Sequence, residues 1–267
     1  MALLARKGTD TAAPATATAL GAAGHLAHCQ GDYAQATSLL EQALAMERAL
    51  GHRSGEADML FHLGDVASNQ GDYSLARSLL EQALAIYQDL QDRHGEAESL
   101  GRLGYVAREQ GDFATARSLQ EAALAIHRDL GERMNEAWNL GSLGYVYHGQ
   151  EDPEQAQSAF SEALAIYRAF GNRPGEAWSL ASLGYIACQQ GDYASALPLL
   201  EEALAIHRGV GDAAGEAWNL DLLGRALRGQ QDYRAARSAL EEALAIYRRI
   251  GNRNKEAGIV RRLEELA

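Results

Sequence analysis

The sequence predicts an all-α fold, an α-solenoid of stacked helix–turn–helix repeats. Three observations predict it. A 40-residue period runs through the chain without insertion or deletion. Apolar residues recur at helical spacing inside each period, and no segment alternates with a period of two. Helix-ending glycines and helix-starting aspartates recur at fixed points between the apolar runs. A hairpin of this size cannot bury its apolar faces alone, so neighbouring hairpins must stack.

The markers are explicit. Gly-Asp-Tyr stands at 31–33, 71–73 and 191–193, with Gly-Asp-Phe at 111–113, Glu-Asp-Pro at 151–153 and Gln-Asp-Tyr at 231–233. Glu-Ala recurs at 56–57, 96–97, 136–137, 176–177, 216–217 and 256–257, and Ala-Leu-Ala-Ile recurs around Ile86, Ile126, Ile166, Ile206 and Ile246.

Each period contains two helices. In the second repeat, helix A is expected from about Gly55 to Gln70. Its apolar positions Ala57, Leu60, Leu63, Gly64 and Ala67 share one face. Helix B is expected from about Tyr73 to Leu90. Its wide apolar surface, from Ala76, Leu79, Leu80 and Ala83 to Ile86 and Tyr87, must be covered on more than one side. Gly71 closes A in a left-handed conformation, and Asp72 caps B. Pro153 directly after Asp152 fits the first position of a helix. Gly51, Gly131, Gly171, Gly211 and Gly251 end the B helices, and the Glu of Glu-Ala stabilises the first turn of A. Pro198 inside the fifth B helix is expected to kink it mildly.

The expected organisation is an N-terminal extension or helix remnant at 1–16, then repeats at about 17–54, 55–94, 95–134, 135–174, 175–214 and 215–254. A polar capping helix at 255–267 follows, in which Glu264 replaces the repeated glycine.

Composition narrows the function classes. The 267 residues carry 36 acidic and 24 basic side chains, a net charge of −12. No basic face of the kind that neutralises phosphates is present, so no nucleic-acid partner is expected. No run reaches the roughly 18 apolar residues of a membrane span, and the first residues lack a secretory apolar core. A soluble, cytoplasmic protein is expected. Lysine occurs only at 7 and 255 against many arginines, a composition typical of GC-rich bacterial coding.

The residues resemble tetratricopeptide repeats: Leu60, Leu63-Gly64, Ala67, Gly71, Tyr73, Ala76, Leu80 and Ala83 follow that family's pattern, and the match recurs in every period. The family's usual period is about 34 residues; the longer repeat here is similar to two of its groups. One is the Pins-type spindle-orientation adaptors, whose groove binds extended peptides. The other is the C-terminal repeat region of bacterial STAND-type ATPases and LuxR- or SARP-type activators. The opening 45 residues resemble the second group, at the junction where the repeats begin. There the chain would be a piece or a free-standing relative of a regulator, with Leu3–Lys7 the tail of a preceding helix. No Gly-rich Lys-Ser/Thr loop and no helix-turn-helix is present, so neither ATPase nor DNA-binding activity is carried over.

The resemblance implies a right-handed solenoid whose A helices line a concave surface. Residues seven apart on such a helix share a face, about 10 Å apart. Trp138 pairs this way with Tyr145, Trp178 with Tyr185, Trp218 with Arg225 and Glu98 with Tyr105, with Gly141 and Ala181 between. An aromatic trough of this kind suits an extended peptide or an amphipathic helix; packing of the same rings against neighbouring A helices is the competing reading. Asp58, Phe61 and Asp65 flank one end of the trough, Asp221, Arg225 and Arg228 the other, with Arg102 and Arg108 between. Pins-type adaptors carry asparagine near the Leu-Gly turn, where this chain has Tyr105, Tyr145 and Tyr185.

Other constellations are set aside. His25, His28 and Cys29 have metal-binding spacing without a fourth ligand. His127 and His207 occupy a position held elsewhere by tyrosine, which points to packing. Cys29 and Cys188, four repeats apart, are separated by roughly 30–40 Å at one helix-packing distance per repeat, too far for a disulfide. Glu201-Glu202 and Glu241-Glu242 read as a solvated face.

No enzyme, cofactor or metal is expected. The leading expectation is a scaffold that binds a peptide or protein segment in the groove, at Arg102, Tyr105, Trp138, Tyr145, Trp178, Tyr185, Trp218, Asp221 and Arg225. A small-molecule or inducer sensor is the first alternative. The second is a homo-oligomer assembled through an apolar side at the Leu3–Ala27 end.

Overall fold

The computed structural model describes residues 2–266, with side chains from residue 13 onward. The side chains of Leu3–Lys7 therefore lie outside the described residues, as do Met1 and Ala267. Thirteen α-helices and no strand occur among the described residues. They pair as α1 (Ala2–Cys29) with α2 (Tyr33–Leu50), α3 (Arg53–Asn69) with α4 (Tyr73–Leu90), and α5 (Arg93–Glu109) with α6 (Phe113–Leu130). The series continues as α7 (Arg133–Gly149) with α8 (Pro153–Ala169), α9 (Arg173–Gln189) with α10 (Tyr193–Val210), and α11 (Ala213–Gly229) with α12 (Tyr233–Arg249); α13 (Arg253–Glu264) ends it. The chain divides into two compact units, Met1–Glu132 and Arg133–Ala267.

Local chemistry sets these boundaries. Asp72 accepts a hydrogen bond from the Leu75 amide at 3.0 Å, and Asp32, Asp112, Asp152, Asp192 and Asp232 cap the other B helices in the same way. Pro153 occupies the first turn of α8 as expected. The A helices start two residues earlier than expected; α3 does so without a side-chain cap at His52, while α5, α9 and α11 have caps of their own. Asp92, Asn172 and Asp212 accept from the amides of Gly95, Gly175 and Gly215, at 3.0, 2.9 and 2.9 Å. At the C-terminus of α2, Gly51 is left-handed at φ 70°, and His52 N–H closes back on Glu47 carbonyl at 3.0 Å. Gln91 (φ 58°), Glu151 (φ 61°) and Gln231 (φ 66°) adopt this conformation without glycine.

The Leu-Gly glycine permits close crossing within a hairpin. A Cβ on Gly64 would stand 2.7 Å from Leu80 Cγ, and one on Gly184 would stand 2.7 Å from the Leu200 side chain. α1 runs unbroken past the expected boundary at 16/17. α10 likewise runs unbroken through Pro198, which lies on its exposed side.

Each unit has its own core. In the first, Leu40, Leu60 and Leu80 are fully buried; in the second, Leu200, Leu222 and Leu240 are, and α13 lays Ile259 against that core while Glu264 and Glu265 face solvent. In each unit a B helix packs on its own A helix and on the next. A helices also touch one another, α1 with α3, α3 with α5 and α9 with α11. The A helices are therefore the crowded, inner layer of each unit.

The Glu of Glu-Ala does more than favour a helix dipole. Glu56 receives Arg48 at 2.9 Å and Arg53 at 3.0 Å, and Glu176 receives Arg168 at 3.0 Å and Arg173 at 2.5 Å. It ties the end of one B helix to the start of the next A helix. The Glu-Glu pairs on the B helices act laterally: Arg168 reaches Glu202 at 2.6 Å and Arg208 reaches Glu242 at 2.5 Å.

Candidate functional site

In the second unit, α7, α9 and α11 present Trp138, Trp178 and Trp218 in their second turns and Tyr145, Tyr185 and Arg225 two turns later. Trp138 is 36% exposed and Trp178 42%, while Trp218 is half-buried. Packing and exposure coexist here. The Trp178 ring stacks on Trp218, 4.8 Å between centroids and 26° between planes, and meets the edge of His207 at 5.8 Å. Between the rings, a Cβ placed on Gly141 would meet no atom within 4 Å, whereas Ala181 is fully buried.

Polar groups fix the tyrosines. Ser182 donates its hydroxyl to Trp178 carbonyl at 2.8 Å, so the 2.7 Å bond between Tyr145 and Ser182 has the tyrosine as donor. Tyr185 hydroxyl accepts from Gln189 at 2.9 Å and lies 3.2 Å from His148 Nε2. The Arg225 guanidinium lies 5.7 Å from the Tyr185 ring centroid, within cation–π range.

The charged end is less open than the sequence suggests. Asp221 is 7% exposed and pairs with Arg262 at 2.7 Å. Burial raises its carboxyl pKa against the pull of Arg262 and Arg225. Arg228 is held by Glu265 at 2.5 Å. Neither is a free charge awaiting a ligand, because the capping helix supplies both partners.

Among the site residues, Arg102 and Tyr105 belong to the first unit, on α5. Arg102 pairs with Asp65 at 3.1 Å. Tyr105 is half-buried beneath Arg108, whose guanidinium lies 4.8 Å from the ring centroid. The expectation that Asp58, Phe61 and Asp65 line an open surface is corrected. Phe61 and Asp65 are each 7% exposed, and Asp58 accepts the Tyr87 hydroxyl at 2.7 Å. Burial pushes Asp65 up to about 6, with Arg102 opposing and Glu98 reinforcing. Burial, with His25, His28 and Arg102 nearby, pushes His62 down to about 4.

His25, His28 and Cys29 do not converge on one point. Cys29 Sγ lies 3.7 Å from His25 Nε2, while His28 Nε2 is taken by Asn69 at 2.6 Å. Both cysteine thiols are free, and burial raises that of Cys188. His127 and His207 are buried, as Tyr87 and Tyr247 are at the same position.

Sequence reasoning missed Ser182, His148 and Gln189, which set the tyrosine hydroxyls. It also missed a row of exposed apolar residues ending the B helices: Leu90 and Leu130 in one unit, Phe170, Val210 and Ile250 in the other. The apolar row is a 40-residue column of the sequence, whereas the partners of the tyrosines follow no column.

Against known proteins, the tetratricopeptide repeat model matches residues 15–89, 95–169 and 171–249. The chain belongs to the tetratricopeptide repeat family. A search of curated proteins finds no match. Among solved structures, the chain is similar to BtubC (BKLC) from P. vanneervenii, with TM-score 0.71 and 20% identity, over 82% of this chain and 92% of that one. It is similar to a Rap protein complexed with Competence and Sporulation Factor, with TM-score 0.71 and 17% identity, over 92% and 73% of the two chains. A third is a signal transduction ATPase with numerous domains, carrying a tetratricopeptide repeat sensor, from Pyrococcus horikoshii. There the TM-score is 0.73 and the identity 15%, over 91% of this chain and 37% of that one. These likenesses establish the solenoid fold. No helix among the described residues is long and apolar enough to cross a membrane.

Proposed function

We propose that the protein is a non-catalytic interaction module whose second unit binds an extended peptide or protein segment across α7, α9 and α11. The observation that carries this reading is the pair of indoles left 36% and 42% exposed beside the open position at Gly141. Large aromatic surface on a rigid helix layer is the usual material of a binding hot spot. Tyr185 and Arg225 supply hydroxyl and cationic contacts to backbone carbonyls or carboxylates of the bound segment, and Tyr145, whose proton goes to Ser182, accepts from a backbone N–H. The module works as a cytoplasmic adaptor or as the sensor arm of a bacterial signalling regulator. Two similar structures support that setting, one solved with Competence and Sporulation Factor and one carrying a repeat sensor.

The test is a peptide selected by display against the whole chain, then titrated calorimetrically. The double variant Trp178→Ala with Tyr185→Ala is expected to weaken binding by about 2 kcal/mol, roughly 30-fold. Unchanged affinity, with the fold intact by circular dichroism, removes this face from the reading.

A further inference from the structure

We propose that His94, His127 and Glu132 form a binding site for a divalent transition-metal ion of the zinc type. The site lies within the first unit, where the end of α6 and its following turn meet the start of α5. Glu132 Oε1 and Oε2 stand 2.9 and 3.0 Å from His94 Nδ1, and Oε2 stands 2.7 Å from His127 Nδ1. One ligand atom from each residue falls within 4.8 Å of the other two, and no other trio of His, Cys, Asp or Glu does so among the described residues. Two imidazoles and a carboxylate are a recurrent zinc ligand set, with a fourth position left for water.

In the metal-free arrangement a carboxylate only accepts, so each imidazole donates an Nδ1–H to Glu132. A metal ion takes the place of those two protons. Ligands around a tetrahedral zinc stand roughly 3.3–3.5 Å apart, so the contacts of Glu132 to His94 and His127 must open by about half an ångström while the two imidazoles, within 4.8 Å of each other, close to that separation. His94 can move: its side chain is 51% exposed, while His127 is fixed by burial. Glu98 stands 3.8 Å from His94 Nε2, where an outer carboxylate orients a ligating imidazole.

The repeat itself supplies the comparison. The position of Glu132 holds Asp or Asn at 92, 172, 212 and 252, each capping the following helix. Glutamate there has the extra methylene that reaches both rings. His207 makes a related contact with Asp212, Nδ1 to Oδ2 at 3.0 Å, but Pro174 stands where His94 would be. His94, His127 and Glu132 occur together in no other repeat, and here they meet.

The experiment is zinc titration of the whole chain in competition with a chromophoric chelator, in phosphate-free buffer. One site per chain is expected. His94→Ala, His127→Tyr and Glu132→Asp each install a residue that the chain uses at the same position in another repeat, so the fold is retained. Each is expected to weaken zinc at least tenfold, and His28→Ala is expected to leave it unchanged. Absence of a stoichiometric site overturns the proposal. So does binding that survives both His94→Ala and His127→Tyr, or that falls with His28→Ala.

Discussion

The inner layers of the two units share a backbone and differ in chemistry. In the first unit, α3 and α5 fill that layer with polar groups that are already partnered: Asp65 pairs with Arg102 and Asp58 accepts the Tyr87 hydroxyl. In the second, the repeat position held by Asp58 and Glu98 carries Trp178 and Trp218, whose indoles stack at 4.8 Å. The hairpin scaffold is indifferent to this change, because its own requirements lie elsewhere. They are the Leu-Gly crossing, the Asp and Asn caps and the Glu-centred ion pairs. A face released from scaffold duty is free to become a polar lock in one place and an aromatic surface in another.

The sharpest way to break this comparison is to damage the scaffold in both units. Leu80 and Leu200 are fully buried at equivalent positions. Leu80→Ala and Leu200→Ala should each cost about 2–5 kcal/mol and agree within about 1 kcal/mol, read as urea midpoints. A large inequality would show that the inner face does contribute to holding the repeats.

A smaller effect separates the inner faces by pH. Asp65 is raised from 3.8 to about 6, so its stabilising contribution is present below 3.8 and lost as pH rises through 6. The displacement corresponds to at most about 3 kcal/mol. His62 is lowered from 6.5 to about 4, so its contribution is present above 6.5 and lost as pH falls through 4. The two offset each other between pH 4 and 6. Asp65→Asn should therefore make the first unit lose stability on acidification, and His62→Gln should make it gain, relative to the parent. Hydrogen exchange of α3 at pH 4.5 and 7 measures this, and parallel profiles for both variants would refute it.

The smallest expected effect sharpens the view of the turns. Gln91 holds φ 58° where Gly211 holds φ 73°. Gln91→Gly should stabilise the first unit by about 1 kcal/mol and Gly211→Gln should destabilise the second by a similar amount, both visible in thermal melts.

Period, hairpin composition and B-helix caps were legible in the sequence because each depends on residues a few positions apart. The start of the A helices was misplaced by two residues, since caps were expected only at the B helices, whereas Asp92 and Asn172 cap A helices. Trp138, Trp178 and Trp218 stood out as a column. Their packing between neighbouring A helices stood as the competing reading, but the closure of Asp65 by Arg102 and of Asp221 by Arg262 did not stand out. Those partners lie 37 and 41 residues away, and only the packing of one hairpin on the next brings them together. Glu132 was passed over because it falls at a turn, where its length looked incidental.

All three tryptophans of the chain reside on α7, α9 and α11. Indole emission is consequently a private reporter of the second unit, blind to events before Arg133. A melt followed at 350 nm or so and one followed by backbone ellipticity are two different experiments on this molecule, and any gap between their midpoints measures how independently the two halves come apart.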